Sequence, residues 1–209
     1  MRHIGLVAGA AAAALVAAGA ITYAVAEEEG TGTRTPGTES ADAGFARDMA
    51  VHHQQAVEMS YIVRDRTQDA QVRGLAYDIA QTQANQRGML LGWLDLWELP
   101  KVSSEPPMTW MDMGGAADGK AADGALMPGM ATNSELRRLR ELSGRQAEVL
   151  YLQLMTEHHQ GGIHMAQGCV RRCTVGAEKR LARTMAEGQQ SELRLMSDML
   201  RERGVNPPS

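Results

Sequence analysis

Apolar side chains recur at helical spacing along two long stretches of the chain. Their positions step by four and three residues, the spacing of a helix face that packs in a bundle. No run of alternating β-branched residues indicates a strand. The pattern therefore predicts an all-α protein in which one histidine of each stretch faces the core. The positions are Phe45, Met49, His52, Ala56, Met59 and Val63, and then Tyr151, Met155, His158, Gly162, Met165 and Cys169.

The two stretches belong to an internal repeat. A shift of 106 positions aligns them without a gap, and the register continues as far as Leu94 and Leu200. Turn signals at 67–69 and 174–176 divide each copy into two helices. One αα-hairpin cannot bury its apolar stripe, but two can bury theirs against each other, so the repeat predicts a four-helix bundle. The aligned pairs include Met49 with Met155, His52 with His158, His53 with His159 and Met59 with Met165.

Composition changes divide the chain around this bundle. Thr132 with Glu135 and Ser143 with Gln146 both fit the capping box, which predicts a short helix before the third long one. The predicted parts of the chain are a signal peptide or membrane anchor over 1–26, a flexible tether over 27–40 and a bundle over 41–204. The bundle is divided into a first hairpin over 41–99, a Met-rich crossover over 100–131 and a second hairpin over 132–204.

The N-terminus has the pattern of an export signal. Arg2 and His3 precede an uncharged apolar run over 4–26, which ends in a small-x-small sequence. The run suits a cleaved signal peptide, although it is long enough for an uncleaved membrane tether. Either reading places the remainder outside the cytoplasm, where Cys169 and Cys173 would form a local disulfide or stay free as soft ligands.

Charge and methionine content narrow the function classes. Lys and Arg number 21 against 25 Asp and Glu, a net charge of −4, which excludes the basic field that nucleic-acid binding requires. The chain has 14 Met and one Phe, so thioethers are unusually abundant. No Ser/His/Asp set, Gly-rich phosphate loop or CxxC motif is present, and we expect a binding protein and not an enzyme.

The four repeated histidines predict a metal site. Burying four imidazoles without partners would cost several kcal/mol, on the order of 1–3 kcal/mol each, so a ligand or internal hydrogen bonds must compensate. Di-iron bundles need Glu-x-x-His, which neither copy has. Imidazole with thioether suits Cu(I), and imidazole alone can hold Cu(II), so copper is the predicted ion. The predicted ligands are His52, His53, His158, His159, Met49, Met59, Met155 and Met165.

Three further sets of residues lie outside the predicted ligands. Gln83 and Gln189 occupy equivalent repeat positions and would either cross-link helices or orient the other ring nitrogen of a ligating histidine. His164 lies off the apolar face, as a surface residue would. The crossover methionines would capture Cu(I) beside Trp110 or fold back over the apolar end of the bundle. These are Met108, Met111, Met113, Met127 and Met130.

The segments 45–59 and 155–165, with Met127-Pro-Gly-Met130 before the second, resemble the exported family known as domain of unknown function 305, which includes copper-binding CopM-type proteins. The resemblance covers residues 40 to 204. It implies a ferritin-like four-helix bundle outside the cytoplasm, with copper binding or tolerance as the role and the eight ligands above as the site. Val51 and Glu157 replace the proline often found just before each histidine pair.

The leading hypothesis is a copper-binding protein that sequesters copper or hands it on, with a copper-acceptor protein or a second copy in a homo-oligomer as its partner. One alternative is a ferritin-like metalloenzyme acting on oxygen or peroxide, with Asp48, Glu58 and Glu157 completing the site. Another is a metal-free interaction module whose Met-rich loop docks a partner, since methionine suits adaptable contact surfaces.

Overall fold

The computed structural model describes residues 35–111 and 123–208, and these residues are helical and without strands. The predicted export segment, the tether as far as residue 34 and Met113 lie outside the described residues. No helix within the described ranges combines the length and apolar character needed to cross a bilayer. The helices are α1 (Ala41–Arg66), α2 (Ala70–Leu96), α3 (Asn133–Glu141), α4 (Gly144–Arg172) and α5 (Gly176–Glu202), with a 3₁₀ turn at Thr109–Met111.

The predicted hairpin turns and one of the two capping boxes are confirmed. The chain turns between α1 and α2 at 67–69 and between α4 and α5 at 173–175. Thr132 and Glu135 form a reciprocal capping box that starts α3, the predicted short helix. The prediction for Ser143 is wrong, because its side chain makes no capping hydrogen bond. Gly144 follows it with φ +53°, so the first turn of α4 lacks the backbone geometry of an ordinary capped start.

The four long helices form the predicted bundle of two αα-hairpins. Helix α1 packs against α2, α4 packs against α5, and the hairpins meet along α1 and α4. All twelve positions of the two predicted stripes are buried, including both histidines. The long crossover between α2 and α4 completes the connection, so the all-α, two-hairpin architecture is confirmed.

The apolar core is divided into two clusters along the bundle. On α1, Phe45 and Met49 belong to one cluster, whereas Met59 and Val63 belong to the other. The other three long helices switch clusters in the same way around their own middle. On each long helix, polar side chains lie between the residues of one cluster and those of the other, so the bundle has a polar layer across its middle. This central layer consists of His52, His53, Gln83, Gln86, His158, His159, Gln189 and Glu192.

A second buried polar group lies at one end of the bundle. Asp42 of α1 accepts hydrogen bonds from the amides of Thr174 (2.8 Å) and Val175 (2.7 Å), and so caps α5, which has no side-chain cap of its own. Glu178 lies beside Asp42 and is fully buried. Burial, with a further contribution from the Asp42 carboxylate, raises the pKa of Glu178 to about 9, so this side chain is a neutral acid at pH 7.

Cys169 and Cys173 form a disulfide next to this acid pair. The bond joins the last turn of α4 to the residue that follows it. Of the two roles that the sequence left open, the structural bridge is therefore the one observed. With Asp42, Glu178 and the N-terminal residues of α5, the disulfide forms what we call the end cluster.

The crossover folds back onto the bundle at several of its methionines, whereas residues 101–106 are exposed. Met108, Met111 and Met127 are buried in the same apolar cluster as Phe45. Trp110 packs edge-on against Phe45, with ring centroids 5.8 Å apart, and its indole nitrogen donates to Asp48 at 2.9 Å. These three methionines therefore cover the apolar end, and Met130 packs against it while partly exposed.

Candidate metal centre

The central layer brings together the four predicted histidines, all of which are fully buried. The rings of His52 on α1 and His158 on α4 face each other, with centroids 3.7 Å apart. His53 and His159 flank this pair, at 6.4 Å from His52 and 6.3 Å from His158 respectively. The layer thus has one close central pair and two flanking rings.

Each histidine is oriented by a hydrogen bond from its Nε2 atom to an oxygen. His53 donates to Gln86 Oε1 at 2.9 Å, and His159 donates to Glu192 Oε2 at 2.6 Å. These two partners are equivalent in the repeat, since each lies 33 residues after its histidine. The central pair breaks the symmetry, because His158 Nε2 bonds the carbonyl of His52 (2.9 Å) and His52 Nε2 bonds the carbonyl of Pro128 (3.3 Å).

The opposite ring nitrogens have no partner. The Nδ1 atoms of all four histidines are buried without a hydrogen bond. In a neutral ring whose Nε2 atom carries the proton, Nδ1 carries a bare lone pair. An orienting bond on one ring nitrogen and a free lone pair on the other is the arrangement that ligating histidines show in metal sites.

Gln83 and Gln189 do not have the orienting role proposed from the sequence. Both amide groups are buried in the layer, and none of their side-chain atoms has a hydrogen-bond partner. The orienting residues lie three positions further on, at Gln86 and Glu192. The sequence contains a signal that could have identified them. Each is a polar residue in an otherwise apolar stripe, and each lies 33 residues after its histidine, His53 or His159.

Burial keeps the imidazoles of His52, His53 and His158 uncharged. It lowers the pKa of His52 to about 4 and that of His53 to about 3, with neighbouring imidazoles adding to the effect. For His158 the pKa falls well below its ordinary value of 6.5, again chiefly through burial. Their lone pairs are therefore available at neutral pH, since protonation does not compete for them.

The four predicted thioethers lie on both sides of the layer, and all are fully buried. Met49 and Met165 belong to the apolar cluster on one side, whereas Met59 and Met155 belong to the cluster on the other. Soft sulfur atoms thus line both adjoining parts of the core.

The donor atoms are not gathered around one point. Among the described residues, only Cys169, Cys173 and Glu178 place three His, Cys or carboxylate donor atoms within 4.8 Å of one another. The carboxylates of the enzyme alternative lie elsewhere. Asp48 accepts from Trp110 and the Met108 amide, Glu58 pairs with Arg140, and Glu157 is exposed.

The end of the crossover forms a roof over the layer. The carbonyl of Pro128, which holds His52, lies against Gly161, where an added Cβ would be only 1.9 Å from that oxygen. Gly129 has φ +79°, and a Cβ there would be 2.3 Å from the carbonyl of Glu157. Gln55 of α1 secures the same segment, because its amide exchanges two hydrogen bonds with the backbone of Ala131.

These features define the class of protein. It is a four-helix bundle of two repeated hairpins, with a histidine layer across its core. The profile of the family described as Domain of unknown function (DUF305) matches residues 42–200. The chain belongs to this family.

Solved structures agree with that assignment. A DUF305 protein of Streptomyces coelicolor, described as a candidate secreted protein, is 69% identical with a TM-score of 0.76, over 83% of this chain and 99% of that chain. A DUF305 fragment from Deinococcus radiodurans is 29% identical with a TM-score of 0.63, over 78% and 96%. CopM in its Cu(II)-bound form is 19% identical with a TM-score of 0.60, over 78% and 97%, and this likeness shows the fold alone. No curated protein matches the chain.

Proposed function

We propose that this protein binds copper in the central layer and acts outside the cytoplasm to sequester copper or hand it on. The observation that carries the proposal is the set of four buried Nδ1 atoms without hydrogen-bond partners. A metal-free bundle would leave these polar atoms uncompensated, at an order of 1–3 kcal/mol for each. Imidazole nitrogen with adjacent thioether is a donor set for Cu(I), and imidazole alone accepts Cu(II).

The central pair is the proposed nucleus of the site. His52 and His158 have the closest imidazole rings of the layer, with centroids 3.7 Å apart, and each would supply its Nδ1 atom as a donor. His53 and His159 would complete the nitrogen donors, and Met49, Met59, Met155 and Met165 would supply thioethers from the two core clusters. CopM, which shares the fold, has been crystallised with Cu(I) and with Cu(II). That precedent supports copper as the ion.

An extracytoplasmic location is supported by three observations. The apolar run over 4–26 has the composition of an export signal. The described residues contain a disulfide, which persists in oxidising compartments. The S. coelicolor relative is described as a candidate secreted protein.

The decisive test combines binding with a report on the ligating atom. Copper stoichiometry is measured for the wild-type chain, for the His52→Leu/His158→Leu variant, which keeps the core filled, and for His164→Leu as an exposed control on α4. We expect the double variant to lose affinity by about 100-fold or more, and the control to bind as the wild type does. In ¹⁵N spectra of the imidazoles, Ag⁺ should shift the Nδ1 signals of the layer. Unchanged copper affinity in the folded double variant would overturn the proposal.

A further inference from the structure

The end cluster brings together three atoms that could bind a metal ion, and two of them form the disulfide. The two Sγ atoms of Cys169 and Cys173 and a carboxylate oxygen of Glu178 lie within 4.8 Å of one another. All three residues are buried. We propose that Cys169, Cys173 and Glu178 become a site for a thiophilic d¹⁰ metal ion, such as Zn²⁺ or Cu(I), when the disulfide is reduced.

Glu178 is the observation that distinguishes this place from an ordinary structural disulfide. The side chain is fully buried, yet neither of its oxygens receives a hydrogen bond. Asp42 beside it is already engaged by the amides of Thr174 and Val175. The neutral carboxyl of Glu178 hydrogen-bonds the Asp42 carboxylate, and a cation bound by the two sulfur atoms would take the place of its proton.

The surroundings suit an anionic site for a soft ion. Glu178 lies in the first turn of α5, where the helix dipole favours negative charge. Both cysteines belong to the apolar cluster that contains Met49, Met165 and further methionines. Two thiolates and one carboxylate in such a pocket match the ligand types of zinc sites, and thiolate with nearby thioether matches those of Cu(I).

Reduction converts the bridge into two ligands. An external dithiol reductant supplies two electrons and two protons, the S–S bond breaks to give two thiols, and the dithiol leaves as its own disulfide. Binding of the metal ion then releases the two thiol protons and the Glu178 carboxyl proton to solvent as two metal–sulfur bonds and one metal–oxygen bond form. The site is thus controlled by the redox state of the cysteines, and it does not rest on the copper site of the central layer.

Cadmium titration tests this inference, because only thiolate ligands give the sulfur-to-cadmium absorption band. The full chain is reduced anaerobically with a phosphine, and its two thiols are counted after unfolding. We expect one Cd²⁺ per reduced chain with the thiolate band, and no band for the oxidised chain. Histidine ligation in the central layer produces no such band, so failure here is distinct from failure of the copper proposal.

The role of the carboxylate is tested by Glu178→Gln, with Glu187→Gln on the exposed face of α5 as the matched control. Loss of the carboxylate should weaken Cd²⁺ binding by about 10- to 100-fold while both thiols remain countable, and the control should bind as the wild type does. Glu178→Asp, which keeps the charge with a shorter reach, replaces the first variant if that one does not fold. Equal affinity in all variants, or absence of the band from the fully reduced chain, would refute the site.

Discussion

The central layer and the end cluster bury polar groups in opposite ways. In the layer, burial keeps bases neutral by lowering the pKa of His52 and His53. In the end cluster, burial keeps an acid neutral by raising the pKa of Glu178. Asp42 uses its oxygens to cap a helix, whereas the layer leaves four Nδ1 atoms without partners. Satisfied buried groups stabilise the fold, and unsatisfied ones mark where a ligand is expected.

The largest effect on stability should come from the satisfied group, Asp42. Replacing it with Ala leaves the amides of Thr174 and Val175 without their acceptor and removes the cap of α5. We expect the free energy of unfolding to fall by about 3 kcal/mol, measured by urea denaturation. Asp78→Ala, at an exposed position of α2, is the control and should change it by less than about 0.5 kcal/mol. Similar losses in both variants would contradict the capping role.

The two regions should give stability opposite dependences on pH. The pKa of Glu178 is raised from 4.5 to about 9, so its contribution is complete below pH 4.5 and is lost as the pH rises towards 9. The pKa of His52 is lowered from 6.5 to about 4, so its contribution is present above pH 6.5 and is lost as the pH falls towards 4.

Each group changes the unfolding free energy by at most about 1.4 kcal/mol per pH unit within its own window. Urea denaturation of the metal-free, disulfide-bonded chain from pH 4 to pH 9 measures both slopes. Glu178→Gln should remove the fall in stability between pH 4.5 and pH 9, so the alkaline side flattens and the histidine slope between pH 4.5 and pH 6.5 becomes steeper. A fall in stability towards pH 9 that persists in Glu178→Gln would show that another group causes it.

The smallest change in the free energy of unfolding is expected in the central layer, and there it should be an increase. His158→Leu removes a buried Nδ1 atom that has no partner, but also the Nε2 hydrogen bond to the His52 carbonyl, so the metal-free variant should be more stable than the wild type by at most about 1 kcal/mol. The same variant should lose the increase in melting temperature that copper gives the wild type. Thermal unfolding with and without copper measures both quantities. A clear loss of stability without metal would assign His158 a structural role.

Much of the fold was predictable because the signals are local and repeated. The register of 106 positions identified both hairpins, and the stripe through His52 and His158 identified the core faces. The failure at Ser143 has a local cause as well. Ser143 and Gln146 are the residue types of a capping box, but Gly144 takes a left-handed backbone conformation that residue types alone do not reveal.

The site was less predictable where it depends on tertiary contacts. The hydrogen bond from His52 to the carbonyl of Pro128 could not be predicted, because it depends on how the crossover returns to α4. In the end cluster only the two cysteines had a sequence signal, because a Glu in a first helical turn, such as Glu178, is ordinary at an exposed position. Only the packing of α1 against the start of α5 brings Asp42 next to it.

The matching register of the two hairpins also determines which length changes the protein can accept. Residues added between the hairpins, away from the roof segment at Pro128, leave the phase of every helix as it is. A single residue deleted between Phe45 and His52 turns the following side chains by about 100°, which carries both histidines of that copy out of the bundle interior. Length variation among relatives should therefore concentrate between the two copies, while the number of residues inside each copy stays fixed.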